Sequence, residues 1–183
     1  MSAEKEIVNY WYNKSGFFTI NNIKTGNNRD CGILALKFVN GEVNDIFHVE
    51  VSCSITNNIA EAGNPGKAIS RIVDEKFENR DILKTISSNL SQFPVQKKGI
   101  KKIIILGAVQ KSRKNEIISE FSKKSVEVIE FEDILMQNDN PIGCKELEKH
   151  IKSLLKRYLT KQCLQISHLE VFVGSIIRDL FQK

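Results

Sequence analysis

Apolar and polar positions change their period several times along this chain, and each change marks an element. Residues 4–14 repeat apolar side chains at helical spacing, with Ile7, Tyr10 and Trp11 on one face, and Ser15-Gly16 closes the run. Residues 17–20 read as a short strand, followed by an Asn- and Gly-rich loop over 21–28. Two β-rich runs, 31–38 and 45–53, then flank a turn containing Asn40-Gly41, a dipeptide that favours tight hairpins. In the second run Phe47, Val49, Val51 and Cys53 alternate with His48, Glu50, Ser52 and Ser54.

Opposed residues of an antiparallel pair carry numbers that sum to a constant, so turn length decides which residues share a face. A two-residue turn at Asn40-Gly41 alone sets Glu50 across from Cys31 and sends Asp30 to the other side of the sheet. An odd loop, or a bulge, sets Glu50 across from Gly32 and leaves Asp30 and Glu50 as diagonal neighbours. The second register is expected, because it keeps Cys31 and Cys53 together on the apolar face.

Residues 55–66 read as a loop, and Pro65 opens a helix to about Phe77 whose inward stripe is Ile69, Ile72, Val73 and Lys76. A further helix covers 81–90, and the continuous apolar run 101–107 predicts a central strand. A basic loop over 110–114 leads into a helix ending near Lys124, then a strand over 126–131 and a short helical turn over 132–136. Strand–helix–strand alternation implies a parallel crossover and therefore a mixed sheet. Residues 138–143, with Asn140-Pro141 inside, divide a domain over 1–137 from a C-terminal extension over 138–183. Amphipathic helices over 145–159 and 169–181 suit a helical hairpin that packs on the sheet or pairs with a second copy as a homodimer.

The 183 residues suffice for one well-buried domain. No apolar run approaches a membrane span, the opening residues do not form a signal peptide, and Cys31, Cys53, Cys144 and Cys163 lack zinc or redox spacing. A soluble, cytoplasmic protein with reduced thiols is expected. The net charge of +5 is uneven: residues 67–124 hold fourteen Lys or Arg against six Asp or Glu. Such a basic middle suits a phosphate backbone, DNA above all, although solvated lysine-rich helices give the same count. Gly63-Asn-Pro-Gly-Lys67 is too short for a phosphate-binding P-loop and lacks its Ser or Thr.

Candidate chemistry gathers on the hairpin. Asp30 and Glu50 are hard oxygen ligands of the kind Mg²⁺ requires, while a plain amphipathic hairpin with a solvated polar face shows the same alternation. The runs Tyr10-Trp-Tyr-Asn-Lys-Ser-Gly-Phe-Phe-Thr-Ile20, Gly26-Asn-Asn-Arg-Asp-Cys-Gly-Ile-Leu-Ala35 and His48-Val-Glu-Val-Ser-Cys-Ser54 together resemble the PD-(D/E)XK superfamily of restriction-endonuclease-like and Holliday-junction-resolvase-like nucleases. The resemblance spans roughly residues 4–137. It implies an α/β fold with a restriction-endonuclease-like mixed central sheet, an αβββαβ core flanked by helices. It also implies Mg²⁺ or Mn²⁺ held by Asp30 and Glu50, and a first-helix acid at Glu6, with Glu4 as fallback. Gly32 stands where the family carries its metal-binding Asp, and Ser52 stands at the lysine position of Glu-x-Lys. The missing positive charge is therefore sought at Lys76, with Lys67 behind it.

Two functions follow as expectations. One is a metal-dependent DNA endonuclease of restriction, defence or repair type, with Glu50, Asp30, Lys76, Glu6 and Ser52 around the reaction. The other is a catalytically degenerate member of the same fold that binds nucleic acid or a protein partner.

Overall fold

A computed structural model of the chain describes residues 2–55, 59, 62–95, 99–109 and 112–136. Five strands pair in the order β1 (Phe18–Ile20), β2 (Ile33–Val39), β3 (Glu42–Val51), β4 (Lys101–Leu106), β5 (Val126–Glu130). The first three form an antiparallel meander, and β3, β4 and β5 run parallel, so the sheet is mixed with β4 inside it, as the alternation predicts. Helices flank both faces: α1 (Ala3–Lys14), α2 (Pro65–Lys76), α3 (Arg80–Leu90), α4 (Lys114–Lys123) and the short α5 (Phe131–Met136).

Side chains define the layers. On one face Leu34, Leu36, Ile46, Ile104 and Leu106 pack under Ile69, Val73, Ile82, Ile86, Ile117 and Phe121 of α2, α3 and α4. On the other, Ile33, Ala35, Val49, Ile103 and Ile105 pack against Val8 and Tyr12 of α1. Caps fix where the helices begin. Asn64 accepts from the Lys67 N–H ahead of Pro65 in α2, and Asn79 accepts from Asp81 and Ile82 in α3. The face of α1 differs from the expected one. Lys5, Ile7, Val8 and Tyr12 are its buried residues, while Tyr10 and Trp11 are only half-buried.

The hairpin register comes out as the even one, by a bulge. Asn40 and Gly41 both have positive φ, 51° and 82°, the conformation of a two-residue type I′ turn. Val39 pairs with Glu42 and Phe38 with Val43, but Lys37 pairs with Asp45, so Asn44 is the extra residue. From there the pairing runs Leu36–Ile46, Leu34–His48 and Ile33–Val49, which puts Gly32 next in line with Glu50. The strand stops at Val51, short of the expected end. Cys53 opens a single 3₁₀ turn, Cys53–Ile55, rather than joining Cys31 on a strand face.

The chain divides into two compact units, Met1–Ile134 and Leu135–Lys183. The C-terminal helices expected over 145–159 and 169–181 lie outside the described residues. Among the described residues, no helix is long and apolar enough to cross a membrane, and Cys31 and Cys53 are free thiols.

Candidate functional site

The polar face of β3 is not solvated. His48, Glu50 and Ser52 are all buried, because α2 lies over them. Phe77, at the C-cap of α2, stands edge-on to the His48 ring at 4.9 Å, and Lys76, the last residue of α2, brings its ammonium to 3.6 Å from Glu50 Oε2. That separation makes an ion pair, longer than a hydrogen bond. Lys76 lies on the inward stripe of its helix, and its charge goes to Glu50. Lys67, the fallback, is exposed near the start of α2.

Glu50 is 4 % exposed, and its Oε1 has no hydrogen-bond partner. Burial raises its carboxyl pKa to about 7, against the pull of Lys76 and Lys5, and Asp30 raises it further. His48 Nε2 lies 3.9 Å from Oε1, yet this contact is no salt bridge. The same nitrogen meets the Cys31 carbonyl at 3.0 Å, which fixes it as the N–H of a neutral ring. Burial lowers the His48 pKa to about 4, and the charges of Lys102, Lys76 and Lys5 act in the same direction.

Asp30 sits at the rim, half-exposed. Its Oδ1 accepts from the Lys5 ammonium at 2.5 Å and from the Gly32 N–H at 2.8 Å. Burial raises its pKa, but the Lys5 bond, the Gly32 N–H and the charges of Lys5 and Lys76 outweigh it, so Asp30 stays ionised below the usual range. Both lysines act on both carboxylates, which places the four groups within one electrostatic neighbourhood. Burial raises Glu50 whereas the donors on Asp30 hold that group low, so the two carboxyls are pushed apart in pKa, a pattern typical of sites that divide acid and base work.

Gly32 owes its identity to space. Its φ is +73°, and a Cβ there would lie 2.4 Å from the Val49 carbonyl oxygen and 3.2 Å from Glu50 Oε1. No side chain fits there without displacing that carbonyl. Ser52, buried with its N–H on the Ile105 carbonyl, extends the β3–β4 pairing.

The first helix contributes a residue that the sequence reading passed over. Lys5 bonds to Asp30, and its charge also acts on Glu50. Glu6, half-buried beside it, is not among the groups that chiefly shift either one. The signal was present: Lys5, Val8 and Tyr12 recur at helical spacing, and that stripe is the buried one.

Besides Lys76, six of the fourteen basic residues over 67–124 are paired with acids of the protein among the described residues. Arg71 meets Glu75, Lys101 meets Asp45, Lys102 meets Glu78, Arg113 meets Glu116, Lys114 meets Glu130 and Lys123 meets Glu120. These contacts draw part of the charge excess away from any phosphate backbone.

A divalent ion can be tested against the oxygens present. Glu50 Oε1 is a buried, acceptor-only oxygen without a donor, and the ionised Asp30 lies nearby, so the two carboxylates fit a hard cation in part. Among the described residues, no three His, Cys, Asp or Glu groups converge, so water and phosphate oxygens would supply the other ligands. The chain matches no family model, no curated protein and no solved structure.

Proposed function

We propose that this chain is a Mg²⁺- or Mn²⁺-dependent nuclease that hydrolyses DNA phosphodiesters, on a core like that of the PD-(D/E)XK superfamily. One observation carries the reading: Glu50 is buried with one oxygen bare and a lysine from α2 on the other. A buried carboxylate without a full set of donors is costly, and such groups concentrate where a ligand completes them. The order of an antiparallel meander followed by a parallel crossover supports the same reading.

Asp30 and Glu50 would hold the ion, which when bound supplies a lowered pKa for an attacking water. Lys76 would face the scissile phosphate and offset the charge that develops on it. Ser52 supplies no charge, and Lys76 takes over the role of the family's strand lysine.

A second reading has its own observation. Lys5 already occupies Asp30 and Lys76 meets Glu50, so each carboxyl has a cationic partner without any ion, as in a fold that binds without cutting. One assay separates the two. The full chain with Mg²⁺ or Mn²⁺ is expected to nick duplex, branched or single-stranded DNA, and inactivity on all three sinks the nuclease reading. Affinity for duplex DNA is expected to fall about tenfold between about 50 and 200 mM salt, as two phosphate contacts from Lys5 and Lys76 would give. No retention at the lower salt would leave a protein-interaction module.

A further inference from the structure

Lys5 is the one buried lysine among the described residues, 7 % exposed. It shares the buried face of α1 with Val8 and Tyr12, and its ammonium ends on Asp30 Oδ1 at 2.5 Å. The same oxygen already accepts the Gly32 N–H, so two donors take up its two lone pairs. Beside this pair stands Glu50, whose Oε1 is buried and has no donor. The Lys5 charge also acts on Glu50, so the ammonium occupies surroundings that a hard cation would choose.

We infer that Lys5 is the resident counter-cation of the Asp30/Glu50 site and competes with the divalent ion for it. The inference rests on the metal-ion reading above and sharpens it: ion binding is an exchange, not a simple addition. Two positive charges that share one carboxylate repel, and water screens them only on the exposed side of Asp30. The divalent ion therefore binds only as the ammonium withdraws from Oδ1. Once withdrawn, Lys5 is free to meet an anionic oxygen of the substrate, so the displaced charge stays within the site. Metal and phosphate would then bind with positive coupling.

Isothermal titration of the full chain with Mn²⁺, without DNA, tests this directly. Lys5→Met keeps the length of the stem and removes the charge, and it is expected to bind Mn²⁺ at least about tenfold more tightly than the wild type. Lys5→Gln, a polar variant of similar reach, should shift in the same direction, with thermal unfolding checking that both variants are folded. Glu50→Gln should abolish binding in either background. Unchanged or weaker Mn²⁺ affinity in both Lys5 variants, with Glu50→Gln still abolishing binding, would overturn the exchange and leave the metal reading standing. An absence of Mn²⁺ binding in every variant would overturn both.

Discussion

Glu50→Gln is expected to reduce metal-dependent cleavage by about a thousandfold or more and, in the same protein, to change the pH dependence of folding. The second effect follows from burial and needs no substrate. In metal-free protein Glu50 titrates near 7, against an ordinary 4.5, so the folded state keeps a proton that the unfolded chain has lost. The stability this group contributes is fully present below about pH 4.5 and is lost as pH rises through 7, by up to about 3 kcal/mol. His48 acts in the opposite sense. The unfolded chain protonates it below about 6.5, whereas the folded chain resists until about 4, so stability falls as pH drops through that window.

The two slopes oppose each other where they overlap, and the contribution of the pair to the wild-type profile should be nearly flat there. Glu50→Gln removes one slope and exposes the other. Its stability, measured by urea unfolding with a chelator present, should climb from pH 4 to about 6.5 and then hold level to pH 8, where the wild type declines. Parallel profiles for the two proteins would mean that Glu50 is solvated and carries no raised pKa.

Gly32→Ala should destabilise the fold by about 3–5 kcal/mol, a large fraction of a small domain's stability. Two costs add. A φ of +73° is strained for any residue with a Cβ, and that Cβ would sit 2.4 Å from a backbone oxygen, which no rotamer change relieves. Gly32→Asp, with a larger side chain in the same space, should unfold the protein. A thermal midpoint for Gly32→Ala close to that of the wild type would show that the β2–β3 junction yields, and the steric account of Gly32 would fail.

The sheet was largely legible because its cues are local. Period-two alternation, Asn-Gly and the unbroken apolar run at Ile103, Ile104 and Ile105 each depend on a few adjacent residues. The register parity came out as expected, but not for the expected reason: Cys31 packs with Leu34 and Leu36, Cys53 lies in a 3₁₀ turn, and a bulge sets the parity. What the sequence hid is whatever depends on a distant partner. Alternation at His48, Glu50 and Ser52 looks the same whether water or a helix covers that face, and the placement of α2 decides it. The ion pairs of Lys101 with Asp45, Lys102 with Glu78 and Lys114 with Glu130 join residues far apart in the chain, so a count of charges overstated the free basic surface. Lys5 escaped for a narrower reason. The stripe of α1 was placed on Ile7, Tyr10 and Trp11, one step round from the buried face, so a lysine on the true stripe drew no notice. Lys76, on a stripe drawn correctly, was found.

The extra residue at Asn44 also gives this hairpin one residue of slack. Surface hairpins ordinarily absorb insertions and deletions near their turns, because the loop takes up the difference. Here the bulge does so: without Asn44, Phe38–Val43 and Lys37–Asp45 become consecutive pairs, and Glu50 stays in line with Gly32. A single-codon deletion of Asn44 should therefore be tolerated, whereas one residue inserted between Phe47 and Glu50 should turn the later side chains to the opposite face. The bulge is a spare residue, and the frame of the strand beyond it survives its loss.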